Sequence, residues 1–538
     1  EEPVLFESEQ IWFSKNPDEQ SAKMRLLSVS LLEGLPVFGE AVRVGSPLVR
    51  YEYNGSGDLV RVIGRDGNVK RSFGYKNNLM VSHTDAAGLV SEYEYDHYTP
   101  TGKVLRNWTS LGEEWRFTYH DGYTEVTDVL GRTEQYHYDY NNELTKRVFA
   151  DGSAVLMERD GLGRLLSHTD AMGRVTRYQY SNEGQVEAIV RPDGAILHFD
   201  YDDCYRLIRK SDAEGRYDGY TYDEAGNLLT HTDPLKHTTR FEYADNGLLL
   251  SVTDPNGSST AYHYNENRQP DLITDCSGYE TKLAYTPEGQ LARITDALGQ
   301  HTEYHYDADQ NLTLALYPDG SKETFGYDAA GRLKTHTDGE GHTTSYEYGQ
   351  DGLPTRRTNA LGHTFGYHYD KARRLVGLTN ENGARYRFAY DVLDRLIAES
   401  GFDHKLTGYR YNAGNELVEQ REFGDDASLA AKLMAQLGGQ PVPKKDAAPL
   451  SDDLDSQTPL RITEFKRDIL GRLIHTLARD NGKVQETVYQ YDPDGNLVRA
   501  ANRHSITCFD YNENGQLVAQ HQWKVPSKEE NARNGLPE

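Results

Sequence analysis

Four copies of His-Thr-Asp, at 83–85, 168–170, 231–233 and 336–338, are the first candidates for chemistry. A histidine beside a carboxylate is common equipment for general acid–base catalysis. The steps from 168 to 231 and from 231 to 336 are three and five times 21 residues. Groups that recur on one period occupy one structural position, so the spacing assigns them to the entry of a repeated turn. Asp307-x-Asp309-x-Asn311 begins like a calcium-binding loop, but its sixth position is Leu312 and its twelfth Pro318, where such a loop needs glycine and glutamate. Asp492-x-Asp494-Gly495 fails in the same way, with arginine at 503. Cys204, Cys276 and Cys508 share no repeat phase and form no Cys-x-x-Cys, so free, partly buried thiols are expected rather than zinc or disulfides. Gly-x-Ser-x-Gly, His-Glu-x-x-His and the phosphate-binding Gly-x-x-x-x-Gly-Lys-Ser/Thr are absent. No catalytic, cofactor-binding or metal residue is assigned, no cofactor is expected, and the chain is expected not to be an enzyme.

The elements that position these residues are set by a tyrosine pair. It stands at Tyr136/Tyr138, Tyr178/Tyr180, Tyr220/Tyr222, Tyr262/Tyr264, Tyr304/Tyr306, Tyr346/Tyr348, Tyr367/Tyr369 and Tyr409/Tyr411. The intervening slots hold Phe199/Tyr201, Phe241/Tyr243, Leu283/Tyr285, Phe325/Tyr327 and Phe388/Tyr390, and only Met157/Arg159 departs from the pattern. From 136 to 409 the phase never slips, so 273 residues make 13 steps of 21. A fixed period of this size is one supersecondary unit copied many times.

Residues Tyr327 to Tyr348 show the unit. Thr344, Tyr346 and Tyr348 alternate and so share one face of a strand. Asp328 can close an Asx-turn, and Gly331 can take the positive φ that the turn requires. Leu333, Thr335 and Thr337 line a second strand, and Asp338 with Gly341 closes a second turn. The first turn recurs at Asp160-Gly163-Arg164-Leu165, Asp223-Gly226-Asn227-Leu228, Asp468-Gly471-Arg472-Leu473 and Asp492-Gly495-Asn496-Leu497. The second recurs at Asp128-Gly131, Asp170-Gly173, Asp254-Gly257 and Asp296-Gly299. The unit is a β-hairpin. The 14 in-phase copies predict about 28 strands and on the order of 130 Å of sheet, more than a twisted sheet sustains without curling. The expected fold is all-β: a long antiparallel hairpin ribbon of 21-residue repeats, wound into a spiral shell or cage.

Composition agrees. Hydrophobic residues make up 37% and mean hydropathy is −0.76, too poor for a two-sided core, which favours a wide shell over a filled solenoid. Tyrosine outnumbers phenylalanine 38 to 15, so burial relies on rings with a polar end. A net charge of −26, with no basic aromatic stripe, argues against direct nucleic-acid binding and against anionic membranes. No apolar run is long enough for a membrane span. The chain begins Glu1-Glu2-Pro3, with neither a starting methionine nor a signal-peptide pattern, and reads as a piece of a longer protein.

Four segments are expected. Residues 1–50 are a non-repeat N-terminal segment, and 51–423 are repeats, irregular in spacing up to 135. Residues 424–460 interrupt them, with a short helix capped by Asp426 (Leu429, Leu433 and Leu437 on one face) followed by a Pro-rich, acidic linker. The repeats resume over 461–538.

Tyr327-Asp328-Ala-Ala-Gly331-Arg332-Leu333 and Thr253-Asp254-Pro255-Asn256-Gly257, at this spacing, closely resemble the YD repeats of bacterial Rhs proteins, whose core is similar to the Tc toxin C component and to teneurin shells. The resemblance covers about 51–423 and 461–520. It implies a shell that encloses and helps deliver a C-terminal toxin domain of the same parent protein. Implied partners are that cargo, a VgrG–PAAR spike of type VI secretion, and a chaperone or immunity protein. The implied location is the bacterial cytoplasm before export, then the target cell. The family's self-cleaving Asp-Pro-x-Gly-Leu segment is not found, because Asp492-Pro493-Asp494-Gly495 is followed by Asn496-Leu497 and lies inside a repeat. The alternative is a cell-surface carbohydrate-binding or adhesion module, since aromatic hairpin repeats also stack on sugars. Such modules rely on tryptophan, and this chain has four.

Overall fold

Each described repeat folds as the hairpin its pattern dictates. The computed structural model describes residues 4–13, 21–33, 43–424 and 458–525. These form 44 strands in a single sheet, from Val4–Phe13 to Leu517–Lys524. Each strand pairs antiparallel with the next in sequence, as Lys322–Tyr327 does with Leu333–Thr337, and that strand with Thr343–Tyr348. The count exceeds the 28 expected because the irregularly spaced flanks are strands too. Ser21–Glu33, in the N-terminal segment expected to be non-repeat, pairs with Arg43–Tyr53, which carries the ribbon into the repeats. The expected helix from Asp426 lies outside the described residues.

The two turns share one geometry. In the first, the Asp328 amide donates to the Arg332 carbonyl at 3.0 Å, and Oδ1 of Asp328 accepts the amides of Ala330 and Arg332 at 2.9 and 3.0 Å. In the second, Asp338 treats Glu340 and His342 in the same way, at 3.0 and 2.9 Å. Gly331 and Gly341 sit at φ of 77° and 86°, a region open to glycine at no steric cost. Where a strand carrying the aromatic pair meets the strand that follows it, the register shifts by one residue, between Gly326 and Tyr327 in this copy, whereas the alternate pairing beside it runs without a shift. Bulges increase local twist and bend the ribbon, and a bend repeated in register becomes a coil.

The sheet has one layer. Among the described residues, Leu406 is the largest side chain that is fully buried, and the other deeply buried apolar residues are mostly alanines. What a core would supply is replaced by bonds between hairpins. Tyr180, Tyr348 and Tyr390 donate their hydroxyls to the carbonyls of Leu165, Leu333 and Leu375 at 2.9, 2.8 and 2.7 Å, each reaching back 15 residues. Arg332 completes the tie. Its Nε meets Asp328 Oδ2 at 2.7 Å, its Nη1 donates to the Gly349 carbonyl of the next repeat at 2.7 Å, and its guanidinium lies 4.9 Å from the Tyr348 ring. Arg164, Arg206, Arg374, Arg395 and Arg472 repeat this arrangement on Tyr180, Tyr222, Tyr390, Tyr411 and Tyr491.

Met157/Arg159, the pair that departs from the pattern, keeps the tie by other means. Arg159 Nε reaches the Leu144 carbonyl at 3.5 Å, the bond a tyrosine makes elsewhere. Arg467 does the same to Leu417 at 3.4 Å, across the interruption in the repeats.

Candidate functional site

The ribbon is wound so that one edge of it lies against the other. Turns of the second kind between residues 65 and 235 meet turns of the first kind between 288 and 514. Arg65 pairs with Glu288 at 2.9 Å, Lys70 with Asp309 at 2.6 Å and Arg174 with Glu416 at 2.6 Å. Arg132 pairs with Asp394, and Arg216 with Asp494, in short contacts. Two pairs run with reversed charge, Glu113 with Arg373 at 3.9 Å and Asp151 with Arg395 at 3.8 Å. Hydrogen bonds that use a backbone group on one side extend the seam. Arg191 donates to the Pro493 carbonyl at 2.6 Å, the Ala213 amide to Asp494 at 2.9 Å, and the Leu235 amide to Asn514 at 3.3 Å.

These contacts measure the coil. From the Asp170–Arg174 turn to the Asn412–Glu416 turn the ribbon passes through 23 strands. At roughly 4.8 Å per strand, that is a circumference of about 110 Å and, for a round turn, about 35 Å between facing walls. Side chains from both walls do not close such a gap, so the coil is a shell.

The electrostatics follow the geometry. Burial works against ionisation of Glu416, but hydrogen bonds from Asn412 and Arg174 outweigh it and hold the carboxyl below its ordinary range. Glu288 behaves likewise through Arg65. Glu113 is the opposite case. Burial pushes its carboxyl up, and Arg373, at 3.9 Å, only partly offsets this. Burial also raises Asp494, against the Ala213 amide bond that favours its charge. A cavity of about 310 Å³ spans the seam where Val392 and Leu393 lie against Trp115, Tyr136 and Phe149. Inside it, burial and a 2.8 Å bond to Glu134 push the Tyr136 phenol up to about 12.

The sequence-level candidates resolve into scaffold. His83, His168, His231 and His336 all stand directly across the ladder from the first residue of the aromatic pair, Phe73, Met157, Tyr220 and Phe325. His231 stacks on Tyr220 with ring centroids 5.0 Å apart, and His336 on Phe325 at 4.9 Å. Their carboxylate partners are Asp218 and Glu323, both at 2.8 Å, and not the aspartates of their own triplets. Asp233 instead accepts from Asn514 across the seam. Asp307 closes its own turn by accepting the amides of Asp309 and Asn311, and Asp309 is taken by Lys70, so no calcium loop is formed. Among the described residues, no group of three or more acidic, His or Cys side chains is placed to hold a metal. The cysteines are free, but Cys204 and Cys276 are exposed rather than partly buried, because both occupy turn tips.

The seam is what the sequence reading missed, yet a signal for it was present. Arginine ends the second turn at only three places, 132, 174 and 216, and all three cross the seam.

A hairpin ribbon tied by tyrosine and arginine and coiled on itself is a YD-repeat shell. Models of the teneurin YD-shell match residues 193–325, and models of the RHS repeat match 159–196, 327–364 and 350–385. The toxin protein Tse5 of Pseudomonas aeruginosa is 37% identical over 123 residues, which are 22% of this chain and 9% of that protein. The double-stranded DNA deaminase toxin A of Burkholderia cenocepacia is 35% identical over 97 residues, 18% of this chain and 7% of that one. The crystal structure of the toxin complex TcdB2–TccC3 covers 97% of this chain and 32% of its own, with a TM-score of 0.54 at 14% identity. The Tc holotoxin pore of Photorhabdus luminescens gives the same score over 95% and 31%. Between residues 159 and 385 the chain carries the repeats of the Rhs/YD-repeat family. Its aligned segments span less than a tenth of these curated toxins.

Proposed function

We propose that this chain is part of the wall of a container that encloses a C-terminal toxin domain of a longer parent protein and helps deliver it to a target cell. The observation that carries this reading is the seam: it closes successive turns of the ribbon on one another, turning a strip into a wall around an open interior. A folded 100-residue domain has a radius of gyration of about 13 Å, so a 35 Å interior admits only a small or incompletely folded cargo. The toxin relatives support the same reading. The wall itself is passive and non-enzymatic. Export on a VgrG–PAAR spike, with a chaperone or immunity protein in the producing cell, is the delivery route proposed. A carbohydrate-binding role draws less support, because many of the tyrosine hydroxyls that would face a sugar are bonded to backbone carbonyls.

Limited proteolysis of the parent protein tests enclosure. The downstream domain is expected to resist protease in the intact protein and to become cleavable in an Arg174→Ala/Arg216→Ala variant with an opened seam. Equal cleavage in both would reject the proposal.

A further inference from the structure

Two aromatic residues leave the repeat pattern at one place on the seam. Trp115 stands four residues before Tyr119, where Thr176, Thr239, Thr260 and Thr344 precede their own tyrosines. Phe149 opens a turn of the second kind, where Asp170, Asp212, Asp233 and Asp254 open theirs, and its amide still donates to the Ser153 carbonyl at 2.8 Å. The turn therefore does not need the ring. Both rings line the cavity of about 310 Å³ that spans the seam, with Val126 beside them and Val392 and Leu393 supplied by the other winding. Small-molecule sites begin at about this volume and are built as this one is, from apolar and aromatic walls with a few polar groups among them.

The polar groups are left half used. The Tyr136 hydroxyl and Arg147 Nε and Nη2 all donate to Glu134 Oε2, at 2.8, 3.0 and 2.7 Å. The Arg147 guanidinium lies 4.7 Å from the Phe149 ring. Among the described residues, Glu134 Oε1, Arg147 Nη1 and the Trp115 indole N–H have no hydrogen-bond partner. One acceptor and two donors thus remain at an apolar wall. The charges, by contrast, are balanced. Arg147 pairs with Glu134, while Asp128 and Asp394 are held by Arg132 and Arg374. A charged ligand would lose water here and find no uncompensated partner to offset the loss.

We infer that the seam cavity is a binding site for a neutral, single-ring aromatic compound with one hydroxyl, a simple phenol. The ring packs on Trp115, Phe149 and Leu393. The hydroxyl oxygen accepts from Arg147 Nη1 or the Trp115 indole, and its proton is donated to Glu134 Oε1. The walls come from two windings, so the bound ligand also fastens one to the other. The inference goes beyond enclosure and does not depend on what the interior holds.

Titration of the chain with p-cresol, followed by saturation-transfer NMR, tests this. Binding should saturate with a Kd on the order of 1 mM, ordinary for so small a ligand. Benzoate and benzylamine, rings of similar size with a charge, should bind at least about tenfold more weakly. Hydrogen exchange in peptides covering 128–132 and 391–395 should slow when p-cresol is bound. Ala150→Phe, which fills the cavity from a turn, should abolish binding. If that variant loses its β-sheet circular dichroism, Leu393→Phe serves in its place. Failure to saturate by about 10 mM overturns the proposal. So does undiminished binding to a folded, cavity-filled variant, binding of benzoate as tight as that of p-cresol, or unaltered exchange at 391–395.

Discussion

Arg174 Nη1 donates to Glu416 at 2.6 Å although 242 positions of chain lie between them. The same guanidinium holds Asp170 Oδ2 through Nε at 2.5 Å. One side chain therefore closes its own turn and fastens it to the next winding. Both partners are mostly shielded, with side-chain exposures of 17% and 16%, so this pair is screened less than a surface ion pair.

Glu416→Gln should weaken the seam locally, by about 1.5 kcal/mol, the scale of a hydrogen bond to a charged group. Repeat arrays respond to damage by neighbourhood rather than as one cooperative unit, so a global melting point is a poor probe. Hydrogen exchange should speed up in peptides covering 170–174 and 412–416 and stay unchanged near 340–350.

Glu113→Gln should behave differently. Burial raises this carboxyl despite Arg373, so its charge is held at a cost in the folded protein. Removing the charge is expected to leave exchange near 109–113 unchanged or to slow it at pH 7. Acceleration equal to that of Glu416→Gln would show that the Arg373 pairing outweighs burial.

Acid should loosen the turns from the carboxylate side. Asp170, Asp328 and Asp468 are each held below their ordinary value. Burial opposes this, but bonds from Arg174, Arg332 and Arg472 prevail. Lowered folded values mean that the unfolded chain binds more protons. The stabilisation is therefore full above about pH 5 and is lost as pH falls through 4 and below. Urea midpoints between pH 3 and 7 should fall on the acid side, and Asp328→Asn should flatten the curve slightly.

The arginine that replaces a tyrosine offers a test of the tie itself. Arg159→Tyr should restore the common bond to the Leu144 carbonyl and change local stability by less than about 0.5 kcal/mol. Arg159→Ala should cost on the order of 1 kcal/mol, since it leaves that carbonyl without its partner. Exchange rates at 144–148 distinguish the two variants.

The hairpins were legible because each is fixed by near neighbours. Asp328 and Gly331 define a turn within five residues, and the alternation of Thr344, Tyr346 and Tyr348 defines a face. The shell was legible from composition, since a chain with only 37% hydrophobic residues is too poor in aliphatic side chains to fill a solenoid. The seam was not legible from any single turn, because Arg132 and Asp394 meet only through twist and bends accumulated over 25 strands, with a bulge at every second pairing. The flanks were undercounted for a simpler reason. Spacings of 20 and 22 residues break a strict period without breaking the ladder that carries Phe73 to His83.

Cryo-electron microscopy of the parent protein tests the central claim most directly. The account predicts a single-layer wall of stacked windings, with Arg174 beside Glu416 at the seam and additional density for the downstream domain inside. A filled rod without an interior, or a downstream domain resolved outside the wall, would contradict it.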